Sequence, residues 1–363
     1  MKITCKQFFD GFKLYGPTIL SFDDNGIVIA IDNSIDNNND IVNNIVTYDY
    51  DLITPGFVDL QVNGYDKYEI ETKEEILNLN NELAKKGTTS WLATYVTAPL
   101  DELKDKIINI YDDRILGFHL EGPFIGNCPG AHRTEYIIPV DINWIKELPS
   151  SVKLVTLAPE QKNVIEGIQQ LTKQDISVSL GHSMPTKDEY EQAVKSGASM
   201  LTHLYNAMSG IHHRNDGLAL FGLTDDRVYC GIIADLVHVT SDAIRLAFLS
   251  KPSKIYLVSD SIAWTSANAK RKEASLINGA VRFEKSGVLI GSASTMADMV
   301  RNCVQICNIP LEIVLKSATS IPANLINLPI NGKHSTAGRI VIGKCCPINC
   351  LNKDLIVENV LFI

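Results

Sequence analysis

Short apolar segments alternate with amphipathic stretches along most of this chain, and no other feature of the sequence restricts the fold as strongly. Apolar runs of strand length, separated by stretches of helical length, are typical of repeated βα units around a parallel sheet. Eight such strands are the number that closes a barrel. The sequence supplies eight candidates from Pro55 onward, which are GFVDLQV, TTSWLAT, ILGFHL, VKLVTL, ISVSLG, SMLTH, VYCGIIA and IYLVS.

The two ends of the chain lack this alternation and consist of short strand-like runs and turns. We predict an α/β protein in which residues 55–328 form a (β/α)8 TIM-type barrel. Residues 1–54 and 329–363 are expected to pair into one small β-sandwich domain beside it. An Asn- and Asp-rich stretch at residues 31–44 cannot bury an apolar face, so we expect a solvated turn there.

The amino-acid composition restricts the kinds of partner that this protein can bind. The formal net charge of −9 disfavours nucleic acid, because binding to a phosphate backbone requires a dense surface of Lys and Arg. The N-terminus lacks the apolar core of a signal peptide, and no apolar run approaches the roughly 20 residues that cross a bilayer. We therefore expect a cytoplasmic protein with no membrane partner, in which the eight cysteines are free thiols.

Histidines and carboxylates follow the candidate strands at their C-terminal ends. In barrel enzymes this rim is where catalytic residues assemble, because parallel strands bring positions that are distant in sequence to one mouth. A lone histidine indicates little, whereas several at one rim indicate a site. The rim residues are His119, Glu121, His182, His203, His238 and Asp260.

Three of these residues have the chemistry of a metal site. Two imidazoles and one carboxylate, from His182, His203 and Glu121, can bind a divalent cation and leave a position for water. Such a cation lowers the pKa of bound water to about 7. Asp260 is placed to accept the proton of that water and to return it to the leaving nitrogen of an amide. Zinc, iron, manganese and cobalt all accept this ligand set.

Eight segments together resemble one enzyme family. PGFVDLQVNG, GFHLEGPF, VTLAPE, SLGHS, LTHLYNAM, GIIADLVH, LVSD and GSASTM occur in the order and spacing of N-acetylglucosamine-6-phosphate deacetylases, a branch of the amidohydrolase superfamily. The resemblance runs from Pro55 to ATSIPAN, and the closing GRIVIGK resembles the family's return to its β domain. It implies metal-dependent hydrolysis of the acetamide of N-acetyl-D-glucosamine 6-phosphate to glucosamine 6-phosphate and acetate, in amino-sugar catabolism or cell-wall sugar recycling.

By this resemblance Glu121, His182 and His203 correspond to metal ligands, and Asp260 corresponds to the catalytic acid and base. His132 of PGAHR matches a catalytic histidine that polarises the acetyl carbonyl and contacts the substrate.

The first strand departs from the superfamily pattern. Gln61 and Asn63 stand where many relatives carry a His-x-His pair that holds an additional metal. An amide is a poor metal ligand, so the resemblance implies one divalent ion per subunit.

The resemblance also places Asn206, Ala207, Arg214 and His238 at the substrate. A guanidinium grips phosphate bidentately, which suits a phosphorylated sugar in an acidic protein. In the family this arginine reaches across a subunit interface, so a homodimer is implied. The neighbouring His212 and His213 differ from the family pattern, and we expect them at the surface.

Three alternatives remain open from the sequence. Another amidohydrolase, such as a deaminase or cyclic amidase, would use the same barrel, although HLEGP and THLYNAM speak against it. A deacetylase acting on N-acetylgalactosamine 6-phosphate is harder to separate, because the two epimers differ in the direction of one hydroxyl. A barrel that has lost catalysis and serves as a scaffold would have no reason to keep ligands and acid/base together.

Overall fold

The computed structural model describes residues 1–33, 48–271, 273–328 and 332–362. Most of the Asn- and Asp-rich stretch therefore lies outside the described residues, and its predicted solvated turn stays a prediction. Within the described ranges, no helix is both long enough and apolar enough to pass through a bilayer.

The described residues form two separate sheets, with helices packed against the larger one. The described strands are β1 (Lys2–Phe9), β2 (Leu14–Tyr15), β3 (Thr18–Phe22), β4 (Val28–Asp32), β5 (Tyr50–Pro55), β6 (Phe57–Asp66), β7 (Thr88–Val96), β8 (Gly117–Glu121), β9 (Val152–Leu157), β10 (Ser177–Leu180), β11 (Met200–Leu201), β12 (Tyr229–Ile232), β13 (Ile255–Leu257), β14 (Ser261–Ala263), β15 (Ala274–Ile277), β16 (Ala280–Phe283), β17 (Leu289–Ser292), β18 (Ile348–Leu351) and β19 (Val357–Leu361).

Helices connect most of the strands of the larger sheet. They are α1 (Lys73–Lys85), α2 (Leu100–Ile110), α3 (Ile142–Lys146), α4 (Val164–Lys173), α5 (Lys187–Lys195), α6 (Leu218–Thr224), α7 (Ser241–Ser250), α8 (Ala267–Arg271), α9 (Met296–Arg301), α10 (Leu311–Ala318) and α11 (Ser320–Leu325), with a 3-10 turn at Thr134–Tyr136 and a π-helical turn at Asn302–Ile306.

The predicted barrel is confirmed. Strands β6 to β13 are parallel neighbours in chain order. The eighth candidate run contains β13, which pairs with β12, whereas the strand that pairs with β6 is β14, which begins just beyond that run. The intervening Asp260 donates its backbone N–H to the carbonyl of Gln61 at 2.9 Å. The sheet therefore curls back onto its first strand, and the break falls at a predicted catalytic residue.

The barrel strands are largely buried on both faces because side chains fill the interior and helices cover the outside. Every residue of β8 is buried, and so are Phe57 and Leu60 of β6 and Trp91 of β7. Burying each of these large apolar side chains contributes roughly 1.5–3 kcal/mol. This packing holds the C-terminal strand ends, and therefore the site, in fixed positions.

The small sheet joins the two ends of the chain, as predicted. Its order is β19-β18-β5-β1-β3-β4, with β2 beside β1. Antiparallel pairing of β18 with β5 sets Cys350 opposite Ile53, and both side chains are buried. The boundaries proposed for the two domains, at residues 54/55 and 328/329, stay a prediction.

All eight cysteines are free thiols, as expected. At the start of α5, Thr186 and Glu189 form a complete capping box. At α1 the Thr72 hydroxyl accepts from the N–H of Glu75, but the Glu75 carboxylate accepts from the N–H of Glu71 instead of that of Thr72.

A hairpin that the sequence analysis did not anticipate extends the barrel sheet beyond β14. Strands β15, β16 and β17 pair antiparallel, and β17 is parallel to β14. Asn278 and Gly279 form the two-residue turn between β15 and β16, with φ of 52° and 85°. Asn-Gly with positive φ at both positions is the pattern that favours a tight hairpin.

Candidate metal and catalytic centre

Local backbone geometry directs three side chains into the barrel mouth. His182 and His203 each lie two residues beyond a strand end, and Asp260 lies three residues beyond one. Their φ angles are 50°, 21° and 47°. Non-glycine residues rarely adopt positive φ, and such strain is concentrated at functional sites. Glu121 needs no such turn because it is the last residue of β8.

The three predicted ligands converge. Oε1 of Glu121 lies 3.2 Å from Nε2 of His182 and 2.9 Å from Nε2 of His203. The two Nε2 atoms are 3.0 Å apart. All three side chains are buried. Residues that are separated by 21 to 82 positions in the chain therefore present their donor atoms to one point.

This donor set fits a cation. His182 Nδ1 faces the carbonyl of Cys128 at 3.3 Å, which favours a proton on Nδ1 and a lone pair on Nε2. A carboxylate oxygen and two imidazole nitrogens facing one another repel unless a positive charge lies among them. Burial opposes ionisation of Glu121, yet the facing histidines outweigh it and hold the pKa of Glu121 well below the ordinary value. The chain therefore has a Glu/His metal-binding cluster.

His132 joins this cluster through a loop that follows β8. Its Nδ1 lies 2.7 Å from the hydroxyl of Thr97, and its Nε2 lies 3.6 Å from Oε2 of Glu121. The His132 and His182 rings meet edge to face at 4.3 Å between centroids. His132 is therefore close enough to act on a group bound at the cluster, or to serve as a further ligand.

Asp260 is linked to the predicted ligand Glu121 through the side-chain amide of Gln61. Nε2 of Gln61 donates to Oε1 of Glu121 at 2.9 Å and to Oδ1 of Asp260 at 3.1 Å. Nδ2 of Asn63 donates to the same Oδ1 at 2.8 Å. Burial and the charge of Glu121 raise the pKa of Asp260 to about 6, which suits a group that both takes and gives a proton.

His238 follows β12 and pairs with a carboxylate that sequence reasoning missed. Its Nδ1 lies 2.6 Å from Oδ2 of Asp235, while Oδ1 of Asp235 accepts from the N–H groups of Val237 and His238. Both side chains are almost completely buried. The signal was present in the sequence, because an Asp three residues before a His just after a strand can close such a turn.

The remaining predicted substrate residues lie on the loop after β11. Asn206 Nδ2 donates to the carbonyl of His203 at 3.3 Å, and Ala207 has a φ of 47°. Arg214 is exposed, as are the adjacent His212 and His213. The recorded bond at Arg214 is local, from its N–H to Nδ1 of His212 at 3.2 Å. No hydrogen bond or ion pair therefore links the described Arg214 to the cluster.

His119, one of the rim histidines, does not join the cluster through hydrogen bonds. It is buried, its Nε2 lies 2.8 Å from the hydroxyl of Thr156, and its Nδ1 lies 3.3 Å from that of Thr94. Burial lowers the pKa of His119 to about 4, so it is a neutral residue of the barrel interior. Two further residues that the sequence did not indicate are Thr97, beside His132, and Thr202, beside Gln61.

With this geometry established, comparison with known proteins defines the class. The Amidohydrolase family matches residues 52–344, and the chain belongs to that family. Within it the chain is a member of the N-acetylglucosamine-6-phosphate deacetylases. It is 32% identical over 304 residues to the N-acetylglucosamine-6-phosphate deacetylase of Lysinibacillus sphaericus, covering 78% of each chain.

One further relative and one solved structure show how far this similarity extends. The N-acetylgalactosamine-6-phosphate deacetylase of Escherichia coli O157:H7 is 30% identical over 332 residues, covering 86% of each chain. The crystal structure of N-acetylglucosamine-6-phosphate deacetylase from Pasteurella multocida superposes with a TM-score of 0.85 at 28% identity, covering 100% of this chain and 98% of that one. The described residues thus have the deacetylase fold.

Proposed function

We propose that this chain hydrolyses the acetamide of N-acetyl-D-glucosamine 6-phosphate, giving glucosamine 6-phosphate and acetate. The observation that carries the proposal is the convergence of Glu121, His182 and His203 within 3.2 Å, with Asp260 bound to the same Gln61 amide. The deacetylase relatives support the choice of substrate.

Glu121, His182 and His203 would hold one divalent ion per subunit. We propose zinc, with iron, manganese and cobalt as the other cations that this donor set accepts. Such an ion, when bound, supplies a Lewis acid that lowers the pKa of water to about 7. One ion per subunit is proposed because Gln61 and Asn63 already use their amide N–H groups on Glu121 and Asp260.

Side chains of this protein carry out the proton transfers of the reaction. The carboxylate of Asp260 accepts a proton from the attacking water and returns it to the sugar nitrogen as the C–N bond breaks. Burial raises the pKa of Asp260, which makes its carboxylate a stronger base for accepting the proton of the water. His132, oriented by Thr97 through Nδ1, donates from Nε2 to the acetyl oxygen as negative charge develops there.

We assign substrate recognition to the residues around the mouth. His238, held by Asp235, faces the sugar, and Asn206 and Ala207 lie beside the ligand His203. Arg214 binds the phosphate of a neighbouring subunit's substrate in a homodimer, which accounts for its exposure in the single chain. A sugar phosphate does not cross a bilayer unaided, so we propose that the enzyme acts in the cytoplasm.

An acetate-release assay on the two epimeric sugar phosphates, with metal content measured on the same preparation, tests the proposal. We expect acetate from the gluco epimer at a kcat/KM well above that of the galacto epimer, with about one divalent ion per chain. Preference for the galacto epimer would assign the enzyme to the other deacetylase specificity. Absence of acetate from both substrates in a protein that contains the ion would overturn the proposal.

A further inference from the structure

Gln61 occupies the centre of the site but has no role in the proton transfers proposed above. It lies on β6 with 2% of its surface exposed. A side-chain amide nitrogen carries two hydrogens. Both are used here, one on Glu121 at 2.9 Å and one on Asp260 at 3.1 Å. The amide therefore separates two carboxylates that would otherwise repel each other in a buried environment.

The orientation of this amide is fixed from its other side. The Thr202 hydroxyl donates to Oε1 of Gln61 at 2.8 Å, and Thr202 is 3% exposed. Rotating the amide by half a turn would direct Oε1 at two carboxylates and remove the Gln61 hydrogen bond from both of them. One hydroxyl and two carboxylates thus permit a single orientation of the Gln61 amide.

The orientation of the Gln61 amide determines which oxygen of Asp260 is available to accept a proton. Oδ1 accepts from Gln61 at 3.1 Å and from Asn63 at 2.8 Å. Among the described residues, both side chains that donate to the Asp260 carboxylate donate to Oδ1 and neither to Oδ2. Two donors on one oxygen fix the plane of the carboxyl group and leave the other oxygen as the proton acceptor.

We propose that Thr202 and Gln61 are positioning residues for Asp260. The Thr202 hydroxyl fixes the Gln61 amide, and the amide holds Oδ1 of Asp260 so that Oδ2 faces the reacting groups. This inference rests on the proposed function for its effect on turnover, although the Thr202–Gln61 contact can be tested without turnover.

The variant Thr202→Val removes the hydroxyl at nearly constant volume, and Thr202→Ser retains it. We expect Thr202→Val to lower kcat roughly 3- to 10-fold, the effect of one buried hydrogen bond, while KM and metal content stay within about twofold. Thr202→Ser should restore kcat. A role limited to packing would give the opposite pattern, because serine leaves a methyl-sized void and valine does not.

The second measurement uses metal-free protein labelled with 15N at glutamine. The Gln61 side-chain resonances, assigned by their loss in Gln61→Met, should be shifted downfield because both hydrogens are bonded to carboxylates. They should move in Thr202→Val and stay in place in Thr202→Ser. Unchanged resonances in Thr202→Val, or moved resonances with unchanged kcat, would overturn the inference.

The two hypotheses fail in different ways. If neither sugar phosphate releases acetate from the wild-type protein, the proposed function is wrong. The amide resonances then decide the inference alone, which is supported if Thr202→Val moves them and overturned if it does not.

Discussion

Nδ1 of His238 lies 2.6 Å from Oδ2 of Asp235, and the same carboxylate closes the turn between them by accepting two backbone N–H groups. Burial opposes ionisation of Asp235, but the bonds from His238 outweigh it and hold the pKa of Asp235 below its ordinary value. A depressed folded-state pKa stabilises the fold above the unfolded-state pKa of about 3.9, and the contribution is lost as pH falls through the folded value.

Asp235→Asn should therefore lower the free energy of unfolding by roughly 1.5–3 kcal/mol at neutral pH, since it removes a charged hydrogen-bond acceptor. The difference from wild type should shrink below about pH 4. Urea unfolding of both proteins from pH 7 to pH 3 measures this difference in the free energy of unfolding. The exposed Asp226→Asn is the matched control and should change stability by less than about 0.5 kcal/mol. A deficit of constant size at every pH would contradict this explanation.

Asp260→Asn should retain the metal and lose turnover. The amide matches the carboxyl in size but cannot take a proton, so we expect kcat to fall roughly 10²- to 10⁴-fold. Steady-state kinetics and metal analysis on one preparation measure both effects. Turnover near the wild-type rate would remove Asp260 from the proton transfer, and loss of the ion would make it a ligand instead.

Arg214→Ala should raise KM for the phosphorylated sugar far more than for the unphosphorylated one, because only the former offers an anion to the guanidinium. Arg114→Ala is the matched control. Arg114 is exposed like Arg214 but precedes β8, at the opposite rim from the site. Equal effects of Arg214→Ala on both substrates would remove the phosphate assignment. Loss of the dimer in this variant would indicate a role in assembly.

The capping box at α5 offers a test of the fold itself. The Thr186 hydroxyl accepts from the N–H of Glu189, whereas Thr240, the N-cap of α7, has an extended backbone but no such bond. Thr186→Ala should therefore destabilise the protein by about 1 kcal/mol, and Thr240→Ala by clearly less. Equal losses in denaturant unfolding would show that the hydroxyl bond is not what stabilises the end of α5.

The barrel could be predicted from sequence because buried strands appear in the sequence as apolar runs. All eight candidate runs contain a parallel strand. The hairpin of β15 to β17 went unrecognised although its Asn278-Gly279 turn was readable. Its strands are partly exposed, so they lack the continuous apolar pattern that marked the others.

The residues of the site also fall into those that the sequence could predict and those that it could not. The convergence of Glu121, His182, His203 and Asp260 could be predicted because each lies at or just beyond a strand end and matches a motif. Asp235, Thr97 and Thr202 could not be assigned, because a hydroxyl or carboxylate acquires a partner only when separate loops meet. The role proposed for Arg214 requires a second subunit, and one chain does not contain that contact.

The central claim is that a glutamate and two histidines hold one ion with which Asp260 hydrolyses an acetamide. The most direct test titrates metal-free protein with zinc while acetate release from N-acetyl-D-glucosamine 6-phosphate is followed. The account predicts that activity rises linearly and reaches a plateau at one equivalent per chain. Full activity without added ion, or a plateau only at two equivalents, would contradict it.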